Sequence, residues 1–426
     1  MPQKPAKRAV NEGLGPLVAQ PSREFSLCAG GLASRLLWVC AIGMKCNRKL
    51  VNKRKSAMLG VVKKRRTLRV GFLPEADCAP VIVAQEFGLF DRYGLTVELQ
   101  SAASWRHIHN RFHHGLLDAA QAPATLPFLM TLGLTPEKRA CVAGMVLSLQ
   151  GNAITVSRAL SRLGVRDAET MGAHVRQDRS LSTHTFGVAY PLSPQYFLLC
   201  RWLKAANIPP HAVRIESSPT EQMFPLLKLG YLDGYCAGEP WITIAAEAGV
   251  GECVATSSQM APLHPEKVLM ARADFAEERA EEHERLIAAL IEACYLCDQP
   301  ENRPLLCRLL AQPRYVNAPA DCLEPGLVGP FGPTDSQIHA LHGLNVFSRA
   351  RANEPSAAKS AWLTGGLYEF LRWTSRPAGL NGVFRPDIYR RALRLVPREI
   401  TAWQKAEKLE SRRRGHFSGR PLAACA

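Results

Sequence analysis

Leu232-Asp233-Gly234-Tyr235-Cys236-Ala237-Gly238-Glu239-Pro240-Trp241 is the stretch on which the fold turns. It reads as a short strand that stops on a glycine and passes through Glu239-Pro240 into a helix. Glycine permits close backbone approach, and proline suits the first helical turn, where its missing N–H costs nothing. Strand end, glycine turn and helix start together point free N–H groups at one spot, which favours a small anion. The same logic stands upstream in Leu117-Asp118-Ala119-Ala120-Gln121-Ala122-Pro123. Two such units, each ending a strand at a cleft, predict a two-lobed binding protein in place of an enzyme.

Outward from these units the pattern alternates. Strands are expected over 68–72, 95–99 and 117–120, with helices over 79–90, over 105–114 and after Pro123. Residues 142–149 and 153–156 read as a longer strand pair or a crossover. A second series follows, with strands over 186–190, 213–216, 232–237 and 253–256 and helices between them. Such alternation implies α/β sheets with parallel strands and helices on both faces. The expected division is lobe one over 58–158, an inter-lobe connection over 159–182 and lobe two over 183–258. Residues 259–400 return to lobe one and add C-terminal helices, and 401–426 form a basic tail. Two crossings make a hinge, and ligands of open α/β sheets bind at strand carboxyl ends. From Phe275 onward the pattern is helical, with Leu286, Ile287, Leu290 and Ile291 on one face of an expected helix.

The 426 residues, 47% of them hydrophobic, suffice for two lobes with a large core. The formal net charge of +16 suggests nucleic acid until it is mapped. Residues 1–70 hold 16 Lys/Arg against two acids, and the other 356 residues hold 37 against 35. The body is near neutral, so its charge gives no reason to expect direct nucleic-acid binding. Residues 1–57 have basic clusters and no sustained period. Their one apolar run, 36–44, is too short to span a bilayer. Lys45, Arg48 and Lys49 follow it where a signal peptide needs small residues. The segment is expected to be a disordered basic arm or upstream sequence joined by a wrong start, with Met58 the favoured start.

The 13 cysteines are scattered apart from Cys294-Tyr295-Leu296-Cys297, a pattern of reduced thiols, not of a disulfide framework. No second pair completes a zinc site with Cys294 and Cys297. His107, His109, His113 and His114 share a helix, but a surface helix explains them better than a metal. No phosphate loop, nucleophile elbow or zinc-protease motif occurs, so neither a cofactor nor a catalytic residue is expected.

Taken in order, several short motifs resemble one family. They are Gly71-Phe72-Leu73-Pro74 with Asp77-Cys78-Ala79-Pro80, Ser104-Trp105, Gly151-Asn152-Ala153-Ile154-Thr155, Gln222-Met223 and Asp233-Gly234. Gly238-Glu239-Pro240-Trp241, His264-Pro265-Glu266-Lys267, Ser360-Ala361-Trp362-Leu363, Arg372-Trp373 and Arg385-Pro386-Asp387-Ile388-Tyr389 complete the series. From about residue 68 to 395 the chain resembles the nitrate- and bicarbonate-binding proteins of ABC importers and their cytoplasmic relatives that sense nitrate and nitrite. The resemblance implies a type II periplasmic-binding-protein-like fold. Its implied ligand is nitrate or nitrite, with bicarbonate the rival.

Nitrate is a flat monoanion that only accepts hydrogen bonds, so its site needs donors. By resemblance, Trp105 supplies an indole or a wall, and Lys267 a positive charge. Asn152 stands where transport relatives often have glutamine. Gln195 and Gln121 replace common histidines, and Gly238, Pro219 and Glu239 shape the pocket. Lys359 is placed outside the cleft. Taken alone, Lys267 would be a solvated charge, Trp105 a core aromatic, and Asn152 and Gln195 ordinary surface amides. The leading expectation is a cytoplasmic sensor that releases an RNA-binding antiterminator when nitrate or nitrite binds. The alternative is the periplasmic solute-binding component of an importer for nitrate or bicarbonate, partnered by an ABC permease.

Overall fold

The computed structural model describes residues 66–177, 183–329, 344–375 and 377–403. The expected basic extension over 1–57 and nearly all of the basic tail lie outside them. The chain lays down β1 (Leu68–Phe72), β2 (Val97–Ser101), β3 (Ala119–Pro123) and β4 (Cys141–Gln150), then leaves this sheet. It builds β5 (Asn152–Ser157), β6 (His184–Val188), β7 (Val213–Ser217), β8 (Gly234–Gly238) and β9 (Gly251–Thr256), and returns to add β10 (Pro265–Arg272) and β11 (Asn345–Val346). The first sheet has the order β11-β4-β10-β3-β1-β2 and the second β7-β6-β8-β5-β9.

The all-parallel expectation needs correcting. β1 runs parallel to β2 and β3, and β6 parallel to β7 and β8. β10 lies antiparallel between β3 and β4, and β5 antiparallel between β8 and β9. β11 also lies antiparallel to β4, while β5 and β10 are the strands on which the chain enters a sheet from the other lobe. A strand arriving that way needs no crossover helix, so the parallel rule does not bind it. The outward crossing is one residue wide. Gly151, at φ +103°, separates β4 from β5, a backbone conformation that a side chain would strain.

Helix boundaries follow local chemistry. Proline occupies the first turn of α1 (Ala79–Glu86), which buries Val81, Ile82 and Val83. The Ser104 hydroxyl accepts from the His107 N–H at 3.1 Å and starts α2 (Trp105–His113), whose Trp105, Ile108, His109 and Phe112 form one buried stripe. The segment 159–182, expected as a polar connection, carries α3 (Arg158–Arg162) and α4 (Ala168–Gln177), with 178–182 outside the described residues. Leu160, Val165 and Met171 pack into the core of the second sheet. These apolar residues are too widely spaced to show as a period in the sequence.

Ser193 caps α5 (Pro194–Ala205) by accepting from the Tyr196 N–H at 3.2 Å. Then come α6 (Thr220–Lys228), α7 (Trp241–Glu247) and the long α8 (Ala280–Asp298). α8 buries Leu286, Ile287, Leu290 and Ile291 together with Cys294 and Cys297 in the core of the first lobe. All nine described cysteines are free, and burial pushes the thiols of Cys294 and Cys297 well up, so both are packing residues. His109 is buried and His113 stands 3.4 Å from Glu137. Among the described residues no group of three could hold a metal, and no helix is long and apolar enough to cross a membrane.

Candidate functional site

The end of β1 turns through Leu73-Pro74-Glu75 into a short helical turn, Ala76–Cys78, and then α1. Gln121 on the neighbouring β3 holds this turn. Its carbonyl oxygen accepts from the Leu73 N–H at 3.1 Å, and its amide donates to Asp77 Oδ1 at 2.6 Å. On the other side of β3, antiparallel β10 sets Lys267 opposite Pro123. The Lys267 ammonium lies 2.7 Å from Asp77, 3.0 Å from Glu266 and 3.7 Å from Glu75. It also stands 5.3 Å from the centre of the Trp105 ring. His264 extends the cluster, with Nδ1 2.8 Å from Ala261 O and Nε2 3.2 Å from Glu266.

Every member is buried: Lys267 is 0% exposed, Glu75 and Glu266 1%, His264 2% and Asp77 6%. Lys267 is therefore not the solvated charge that its type alone suggests, and its charge is already met by carboxylates. Burial alone would lower its pKa, but Asp77, Glu266 and Glu75 reverse this and raise it. Burial outweighs the pull of Lys267 at Asp77, whose carboxyl is raised. At Glu266 burial is overcome by Lys267 and His264, and the carboxyl is held below its usual range.

A second group forms on the other sheet. Asn152 opens β5 and Gln195 sits in the first turn of α5. The Gln195 amide donates to Asn152 Oδ1 at 2.8 Å, and the Asn152 N–H donates to Ser257 Oγ at 3.2 Å. Gly238 pairs with Asn152 across the sheet. A Cβ on Gly238 would lie 3.0 Å from Gly151 O and 3.6 Å from Asn152 Oδ1, so a side chain would crowd this corner. The two groups meet where the Ala76 N–H donates to Glu239 O at 3.0 Å. Half-buried Pro219 precedes Thr220, whose hydroxyl lies near Glu75 and favours its charged form.

Several buried polar atoms here have no hydrogen-bond partner: Trp105 Nε1, Asn152 Nδ2, Gln195 Oε1 and both Glu75 oxygens. Buried polar groups are nearly always paired, so each of these needs an explanation.

The opening expectation about α7 needs correcting. The Glu239 carboxylate accepts from the Thr243 N–H at 3.0 Å and from its hydroxyl at 2.7 Å. One N–H of the first turn of α7, that of Thr243, is thus met by its own chain, through a Glu239 carboxyl that burial pushes up to about 7. Lys359, placed outside the cleft by the resemblance, is also buried. It is 5% exposed, and its ammonium donates to the carbonyls of Arg351, Ala352 and Glu354. The sequence reading gave no role to Glu75, Asp77, Glu266 or His264, although three of them lie inside quoted motifs. The signal was there: an acid at a buried strand end demands a cation or a proton.

Comparisons with known proteins bear on this geometry. The model of the NMT1-like family matches residues 62–311. The nitrate import ATP-binding protein NrtC of Synechocystis is 33% identical over 339 residues, covering 77% of this chain and 50% of that one. This chain spans about half the length of that relative and of the next curated relatives it matches. The bicarbonate-binding protein CmpA of Synechococcus elongatus is 29% identical over 367 residues, covering 80% of this chain and 78% of that one. The crystal structure of the periplasmic nitrate-binding protein NrtA from Synechocystis superposes with a TM-score of 0.72 at 25% identity, over 79% of this chain and 91% of that one. The two-lobed α/β fold expected from the sequence is the fold of that protein.

Proposed function

This chain belongs to the NMT1-like family, and on that premise we propose that it is the solute-binding component of an ABC importer, taking a small oxyanion. Nitrate and hydrogen carbonate are the two candidates. The observation that carries the reading is the set of unpaired buried donors drawn from both lobes, Trp105 Nε1 from the first and Asn152 Nδ2 from the second. An oxyanion with acceptor oxygens satisfies both. In this reading Gln195 orients the Asn152 amide and Gly238 leaves room for the ligand. Lys267 offsets the surrounding acids, and Glu239 and Pro219 shape the join between the lobes.

The importer reading replaces the cytoplasmic sensor as the leading one. The relatives reported above are named for import or for binding, and nothing in the site favours an antiterminator partner. A periplasmic location and an ABC permease partner go with this reading. No catalytic step is proposed.

The full chain should melt at a higher temperature in nitrate or hydrogen carbonate. An anion at about a hundred times its Kd stabilises by about 2.7 kcal/mol, a rise of several degrees. A sulfate control of equal ionic strength should not reproduce the shift. No shift with nitrate, nitrite or hydrogen carbonate sinks the reading.

A further inference from the structure

The charges around Lys267 do not suit an anion as they stand. One ammonium faces three carboxyl groups, Asp77, Glu266 and Glu75, all within 3.7 Å. Both ring nitrogens of His264 face oxygens, Ala261 O and the Glu266 carboxylate, which gives Glu266 a partner besides Lys267. That matches Glu266 with His264, and Asp77, the nearest acid at 2.7 Å, with Lys267. Glu75 is left over. It is 1% exposed, farthest from the ammonium, and has no hydrogen-bonding neighbour but the Thr220 hydroxyl. A monoanion beside an ionised Glu75 would leave at least two buried negative charges without a counter-charge, a costly arrangement.

We propose that this protein takes up its anion together with a proton, Glu75 being a neutral carboxylic acid in the liganded state. The acid form removes the repelling charge and adds an O–H donor to the site, so the bound pair is the oxyanion plus H⁺. This rests on the oxyanion reading above. The groups that face Glu75 are Lys267 and Glu266 from β10, Asp77 from the turn before α1, and the Thr220 hydroxyl from α6. Burial pushes the carboxyl up to about 7 against the pull of Lys267, helped by Asp77 and Glu266 and opposed by Thr220. The site is therefore poised near neutrality without ligand, and an added anion favours the acid form further.

The test is calorimetric titration of the full chain with nitrate and with hydrogen carbonate. From about pH 7.5 to about pH 9 both remain essentially monoanions, so a pH effect belongs to the protein. Affinity for whichever anion binds should fall about tenfold per pH unit once the free-state carboxyl has ionised. Repeating the titration in buffers of different ionisation heat should give close to one proton taken up per anion. Glu75→Gln, a neutral mimic of the acid, should bind with an affinity that is flat in pH and exceeds the wild type at about pH 9. Binding that is pH-independent in the wild type, with no proton exchanged, overturns the coupling and leaves the oxyanion reading intact. No binding of either anion by folded protein overturns both. If Glu75→Gln does not fold, the wild-type proton count decides alone.

Discussion

Lys267→Ala is expected to lose about 3–5 kcal/mol of stability at neutral pH, the range for removing one partner of a buried ion pair. The mechanism is specific. Asp77 and Glu266 would remain buried without the ammonium that lies 2.7 and 3.0 Å from them. Without the lysine, Asp77, already raised, rises further and Glu266 loses the main charge that holds it down. The variant then binds more protons folded than unfolded, so its deficit should shrink as pH falls toward about 5 and grow as pH rises. Lys267→Met, which keeps the stem and discards the charge, should be almost as damaging if charge is the cause. Lys228→Ala, at an exposed helix end, should stay within about 0.5 kcal/mol of the wild type. Urea unfolding of all three at two pH values measures this. A Lys267→Ala protein as stable as Lys228→Ala would mean that the cluster holds nothing together. The lysine's nearest partners are the protein's own acids, so the first effect of its loss falls on the fold.

The second large effect lies at Asp298. It ends α8, 4% exposed, and its Oδ2 accepts from three backbone N–H groups, of Phe347 at 3.2 Å, Ser348 at 2.6 Å and Arg349 at 2.8 Å. Its Oδ1 meets the Arg303 guanidinium at 2.5 Å and that of Arg349 at 3.4 Å. One carboxylate thus fastens the segment after the edge strand β11 to the end of α8. Burial would raise this carboxyl, but Arg349, Arg303 and the backbone donors hold it below its usual range. A depressed acid contributes stability above its unfolded pKa of about 3.9 and loses it as pH falls below that. Asp298→Ala should cost about 3–5 kcal/mol at neutral pH, since it strands Arg303 and three N–H groups at once. Asp298→Asn keeps one acceptor and should cost less. The wild type should lose part of this margin below about pH 4, and the alanine variant should lose none of it. Equal stability of the two at neutral pH would contradict the role given to Asp298.

Much of the architecture was legible in the sequence because several strands, β1, β3, β4 and β8, are closed by glycine or proline. Gly71-Phe72-Leu73-Pro74 and Gly238-Glu239-Pro240 marked strand ends that the structure places at the meeting of the two lobes. The antiparallel sense of β5 and β10 was not legible, because a strand's own pattern does not report the direction of its neighbours. The helices over 158–177 were missed because their buried residues, Leu160, Val165 and Met171, are sparse. At the site, residue types were easier to read than their partners. Trp105, Asn152 and Gln195 stand out as buried polar side chains only once packing shows that nothing meets Trp105 Nε1, Asn152 Nδ2 or Gln195 Oε1. Lys267 could be read as a cation, but its three acids come from two separate segments, 75–77 and 266, joined only by the sheet.

The most direct measurement is a structure of the full chain with nitrate or hydrogen carbonate at saturation. The account predicts the anion between the lobes, with oxygens about 3 Å from both Trp105 Nε1 and Asn152 Nδ2 and its edge against Gly238. An anion seated elsewhere, with Trp105 Nε1 and Asn152 Nδ2 still unpaired, would contradict it.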